Sequence, residues 1–158
     1  IAPYFTQHVA TRGSAISDAA PHEGGTYPYP LLMTFAEQDA ALVHDLLAAI
    51  DQHYDDYKDS DPGALGWARD RQLFDWVVPF HDAAVAYWKS TGLWTEAHDA
   101  HNAMLVRRQA VLAEAWRAHL ESFDGSRDEF ADAWLALRAA RLRAAALDTL
   151  FTNATSAP

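Results

Sequence analysis

The chain has 158 residues, half of them hydrophobic and 22% charged, with 12 Lys and Arg against 22 Asp and Glu and a formal net charge of -10. That length suits one domain able to bury about 68–70% of its unfolded surface, and the composition is that of a folded rather than a disordered chain. The acidic balance excludes a nucleic-acid or anionic-membrane surface, which needs clustered Lys and Arg, and no apolar run approaches the ~18–20 residues of a membrane span.

Zero cysteines exclude disulfides, thiolate zinc sites and cysteine nucleophiles, and their absence suits an oxidising compartment. Ile1–Ala10 has neither the basic nor the apolar part of an export signal. With Ile rather than Met at position 1, the chain is expected to be a processed product or a portion of a longer protein.

Residues 1–26 carry no helical period and are interrupted by Pro3, Gly13, Pro21, Gly24 and Gly25; IAPYFTQHVA can supply one short strand. The segment TRGSAIS sets Arg12 beside Thr11, Gly13 and Ser14. Such a loop either holds a carboxylate through the bidentate guanidinium fork or exposes an ordinary solvated arginine. In GGTYPYPLLMTF two X-Pro steps keep Tyr27 and Tyr29 extended, and Pro30–Phe35 reads as a continuous apolar strand. Two residues apart, the two phenols face one side of an extended chain and either line a ligand pocket or cap the core.

A helix over Asp39–Tyr54 follows, with Leu42, Val43, Leu46, Leu47 and Ile50 on its apolar stripe. The acidic turn behind it, QHYDDYKDSDPG, lacks the spacing of a calcium loop and reads as solvated. Asp61-Pro62 looks like an N-cap with proline at the first position of a short turn through Leu65. Trp67–Trp94 holds four of the six tryptophans and is expected to form the core. Pro79 splits it into a short helix over Arg69–Val77 and a second over His81–Ser90 that stops at Gly92. Thr95 opens a long helix to about Phe123, with Met104, Leu105, Leu112, Trp116 and Leu120 as its apolar stripe. Ser126-x-x-Glu129 is a capping box for a last helix through about Leu150 that buries Phe130, Trp134, Leu137 and Leu147. Joined by a tight turn, these two helices should make an antiparallel hairpin, and residues 152–158 should fray.

Glu96, His98 and His101 are the only grouping that resembles a metal site. Their i, i+3 histidines lack the H-E-x-x-H spacing, so a polar helix surface is the plainer reading. The adjacent pairs His44-Asp45, His81-Asp82 and His98-Asp99 do not face each other on a helix. No nucleophile elbow, phosphate loop, dinucleotide fingerprint or carboxylate pair is present. We expect a non-enzymatic protein with no cofactor.

Taken in order, TRGSAIS, GGTYPYPLLMTFAEQDAALVHDLLAAI, YDDYKDSDPGALGW and WVVPFHDAAVAYWKSTGLW resemble the C-terminal part of the TAXI solute-binding proteins, the periplasmic receptors of one class of TRAP transporter. Gly25-Thr26-Tyr27-Pro28 stands where that family has a G-T-Y-P segment. Pro79-Phe80-His81 through Tyr87-Trp88 and Gly92 stands where it has a closing P-[FL]-H element, with Ala83 replacing a frequent glycine. The resemblance covers about residues 1–95 and implies the C-terminal portion of a two-lobed α/β receptor. As present, the chain should be mainly α with one or two short strands: a solute-binding portion over 1–94, a helical hairpin over 95–151 and a tail over 152–158. It implies an extracytoplasmic protein that captures a small organic anion, an amino acid or dicarboxylate, and delivers it to TRAP permease subunits. Arg12, Thr26, Tyr27 and Tyr29 are the candidate ligand-binding residues on the physical reading above. Helical apolar surfaces also leave self-association open. The alternative from another class is a stand-alone helical module docking a partner through its aromatic cluster.

Overall fold

A computed structural model describes residues 6–10, 14–26 and 30–149. The chain divides into two units, residues 1–100 and 101–158. It is mainly helical with one two-stranded antiparallel sheet, as the residue pattern predicts.

In the first unit β1 (Thr6–Ala10) pairs with β2 (His22–Thr26), Thr6 opposite Thr26 and Ala10 opposite His22. Helix α1 (Ala40–Gln52) starts where the Asp39 carboxylate accepts the Leu42 N–H at 2.9 Å, an N-cap worth about 1 kcal/mol. A four-residue helix α2 (Tyr54–Tyr57) follows, then a 3-10 turn over Pro62–Trp67. Asp61 caps that turn by accepting the Gly63 N–H at 2.7 Å. α3 (Asp82–Ser90) packs on α1, and a residue of positive φ, Gly92 at 78°, turns the chain out of it.

His81 enforces the break before α3 from two sides. Its Nδ1 accepts the Ala83 N–H at 3.1 Å, which leaves Nε2–H to donate to the Gln38 carbonyl at 3.2 Å. The ring therefore caps α3 and ties it to the segment before α1. Phe74, Tyr87, Trp88 and Trp94 form the buried core, with Leu47, Ala48, Phe80, Val85 and Leu93 against them. Phe74 meets Trp88 and Trp94 edge-on at 5.5 and 5.4 Å, a geometry favoured by the ring quadrupoles.

Three expectations change in this unit. Pro30–Phe35 is not a strand: β1 and β2 pair only with each other among the described residues, so the apolar run has no ladder to join. Leu31, Leu32, Met33 and Phe35 are instead exposed, from 39% to 82%. The helix expected over Arg69–Val77 shrinks to a single 3-10 turn, Arg69–Arg71. Gln72 is extended, and its side-chain amide donates to the Trp67 and Ala68 carbonyls that a helix would have used. The α1 stripe is also narrower than its periodicity implies, since Leu42 and Leu46 face outward while Asp51 turns in.

α4 (Glu96–Ser122) begins with a reciprocal cap. The Thr95 N–H donates to His98 Nδ1 at 3.1 Å, and the His98 N–H donates to Thr95 Oγ1 at 3.3 Å. His98 fills the place that glutamate holds in a capping box. In the second unit α4 runs antiparallel to α5 (Phe130–Ala144), as the ring contacts Phe123–Phe130 and Trp116–Trp134 and the Arg107–Ala145 hydrogen bond show.

The buried line of α4 is Leu105, Arg108, Ala115 and His119, with Met104, Trp116 and Leu120 exposed; this corrects the expected stripe. Leu105 lies on that line as expected, but two polar residues, Arg108 and His119, share it, and hydrophobicity does not reveal them. α5 is shorter at both ends than expected. Glu129 Oε2 accepts from Ser126, but 127–129 form a turn, and Ala146 at φ 54° ends the helix with Leu147 folded back into the core.

Candidate functional site

The strongest polar constellation lies where α1, the Arg69 turn and α3 meet. Asp51, the next-to-last residue of α1, has a side chain only 3% exposed. Arg69 grips it through both oxygens, Nε to Oδ1 and Nη2 to Oδ2, each at 2.6 Å. The Tyr87 hydroxyl donates to Oδ2 at 2.5 Å. Arg69 first, with help from Tyr87, holds the Asp51 carboxyl below its ordinary range against the opposing effect of burial. The Arg69 guanidinium is held above its own ordinary value by the same pair. Burial, followed by the hydrogen bond to Asp51, raises the Tyr87 phenol.

Below this group the Tyr57 hydroxyl donates to the Ile50 carbonyl at 2.8 Å, and above it His44 meets the Tyr87 ring edge-on at 5.5 Å. With both oxygens of Asp51 engaged, the carboxylate is a clamp rather than a free general base. It joins three elements distant in sequence through charge-assisted hydrogen bonds.

Arg69 is 54% exposed, and its outer side faces a cleft of about 400 Å³ lined by Asp51, Gln52, Tyr54, Asp55, Ala68 and Asp70. Three carboxylates against one guanidinium make that cleft unsuited to an anion.

Of the sequence-predicted ligand residues, Thr26 is the last residue of β2, opposite Thr6. Arg12, Tyr27 and Tyr29 lie outside the described residues. Ala10, two residues before Arg12, and Thr26 sit at opposite ends of the ladder, about 13 Å apart at the usual strand rise.

His98 is spent on the α4 cap and meets Phe74 at a tilt at 5.1 Å and Trp94 edge-on at 5.5 Å. Among the described residues no cluster of three His, Asp or Glu is placed to hold a metal ion, and no helix is long and apolar enough to cross a membrane. The rings of Phe74, Tyr87, Trp88 and Trp94 are buried in the core.

The Asp51–Arg69–Tyr87 clamp escapes sequence reasoning because its members are 18 and 36 positions from Asp51. The one available signal was an aspartate continuing the apolar face of α1 just after Leu47 and Ile50. No protein-family model, curated protein or solved structure matches this chain.

Proposed function

We propose that the chain is the C-terminal portion of an extracytoplasmic solute receptor of the TAXI type, which captures a small organic anion and delivers it to TRAP permease subunits. The observation that supports this reading is the exposure of Leu31, Leu32, Met33 and Phe35. A run of strand-forming apolar residues carried on the surface has the character of a sheet strand whose neighbours lie elsewhere in a larger receptor. The residues of the P-[FL]-H-like element fit the same reading. His81 caps α3, Tyr87 and Trp88 enter the core, and Gly92 supplies the positive φ that ends the helix.

Arg12, Thr26, Tyr27 and Tyr29 are then the contacts this portion offers to the solute, and the rest of the cleft comes from the remainder of the receptor. Its role is binding rather than catalysis.

The test begins with the intact mass of the protein captured from its native cells, followed by its thermal stability with a panel of amino acids and small dicarboxylates. The reading expects a species well above 17.5 kDa and stabilisation by one carboxylate, about 2.7 kcal/mol at a hundredfold excess over Kd. A native species of 17.5 kDa that no carboxylate stabilises overturns it. The alternative, a stand-alone helical module docking a partner through its aromatic cluster, would then take its place.

A further inference from the structure

Helix α4 carries two lines of residues, each spaced by three, four, three and four. On the inner line Leu105, Arg108, Ala115 and His119 are buried and Leu112 is half-buried. One position further on at every step stand Val106, Gln109, Ala113, Trp116 and Leu120, and all five are exposed. This outer line is apolar except at Gln109, and its large members are well exposed: Val106 at 51%, Trp116 at 38% and Leu120 at 56%. A helix turns about 100° per residue, so the two lines together span an arc of about 180°, where one packed neighbour needs a stripe of about 100°. Helix α5 accounts for the inner arc, its Phe130 and Trp134 meeting His119 at 4.6 and 5.8 Å. Trp116 straddles the two, touching Trp134 edge-on at 4.8 Å while remaining exposed.

A run of apolar residues at that spacing is the seam by which one helix packs on another, and from Val106 to Leu120 it extends about 21 Å. Charge selects what can lie on it. Residues 101–158 hold seven arginines and seven acids, so the whole formal -10 resides in residues 1–100. Two copies of this chain therefore approach without net repulsion only through the hairpin. Along the hairpin the signs separate. Residues 101–112 and 136–149 carry five arginines and one acid, a formal +4, and residues 113–135 around the turn carry two arginines and six acids, a formal -4. A second copy laid antiparallel sets each basic end beside an acidic turn, whereas a parallel one sets like against like.

Side-chain size favours the same direction. With Ala113 opposite the partner's Trp116, Gln109 lies opposite the partner's Leu120 and Val106 opposite the partner's Phe123. The small Ala113 leaves room for the indole, and two-fold symmetry makes that fit twice. A parallel pair would press Trp116 against Trp116.

We propose that the outer seam of α4 is the interface of a homodimer in which two copies pack α4 antiparallel, Ala113 receiving the partner's Trp116. Two hairpins joined in this way make a four-helix unit. The proposal rests on α4 and the charge pattern of the hairpin and stands whether or not the receptor reading holds.

The test is sedimentation velocity of the full chain over about 1–200 μM, which should show a concentration-dependent species of about twice 17.5 kDa. Leu120→Gln and Ala113→Gln, both at exposed positions that leave the fold intact, should each weaken association by about tenfold or more. Met104→Gln, exposed on the side of α4 away from the seam, should change it by less than about twofold. Direction is read by cross-linking, since the chain has no cysteine of its own. Gln109→Cys and Leu120→Cys lie about 16 Å apart along one helix, too far to bridge within a chain. On mild oxidation the double variant should link two chains, and Gln109→Cys alone should not. A chain that stays at 17.5 kDa throughout overturns the proposal and leaves the seam to a different protein. Equal weakening by Met104→Gln and Leu120→Gln overturns it too, as does ready cross-linking of Gln109→Cys alone, which would mean a parallel pair.

Discussion

Replacing Asp51 by Asn keeps the shape of the clamp and removes its charge, and the structure sets the size of the effect. Three donors converge on the carboxylate, Arg69 Nε–H, Arg69 Nη2–H and the Tyr87 hydroxyl. An amide presents one oxygen and one donating NH2, so at least one of the three loses its acceptor. Bonds to a charged group contribute about 1.5–3 kcal/mol against about 0.5–1.5 for neutral pairs, and a stranded buried hydroxyl costs about 1–3. Arg69 is 54% exposed and regains water, so its share is cut by about half. The net expectation is a loss of about 2–3 kcal/mol, a fall of about 1–1.5 M in the urea midpoint. The assay is urea unfolding followed by the indole N–H signals of Trp88 and Trp94, which lie in the core beside the clamp. Because Arg69 and Tyr87 hold the Asp51 carboxyl below its ordinary value, its contribution is fully present above about pH 3.9 and is lost as pH falls through the lower, folded-state value. The gap between wild type and variant should therefore be complete at pH 7 and narrow in strongly acid solution. Equal midpoints at pH 7, or a gap of the same size at about pH 2.5, would refute the clamp.

Three further outcomes follow from local geometry. His119 is 4% exposed among Trp116, Phe123, Phe130 and Trp134, with no partner for Nε2. His119→Phe should thus raise stability by about 1 kcal/mol in thermal unfolding. Gly92→Ala should cost about 1 kcal/mol from its φ of 78° alone, since an added Cβ meets nothing there. Ala146→Gly, at φ 54°, should move the melting temperature the other way. Met33→Ser with Phe35→Ser should leave stability within about 0.5 kcal/mol while improving solubility, because both side chains are exposed; a large loss would mean that the run is buried in solution.

The helices with strong signals were legible. α1, α3 and α4 fall close to their expected bounds because Asp39, His81 and Thr95 cap them and Gly92 ends α3. The Trp67–Trp94 stretch supplies the core as its aromatic density implies. The misses share a cause. Pro30–Phe35 has the composition of a strand, but strand formation depends on a neighbouring chain segment, which residue type does not specify. The helix expected over Arg69–Val77 rests on Pro79 splitting the aromatic stretch. It fails because Arg69 is held at Asp51 and Gln72 uses its amide to satisfy the carbonyls behind it. Both overrides come from partners remote in sequence or from side-chain chemistry that periodicity ignores.

The same limit explains why the two polar centres were missed while the apolar core was not. Residue type alone places Asp51, Arg108, His119 and Arg138 on the outside, yet all four are buried. For Asp51 the compensation is complete within the fold: every donor around it has a reason to be there. A polar residue buried with its partners is a structural element. The Asp51 clamp therefore belongs with the architecture of residues 1–100.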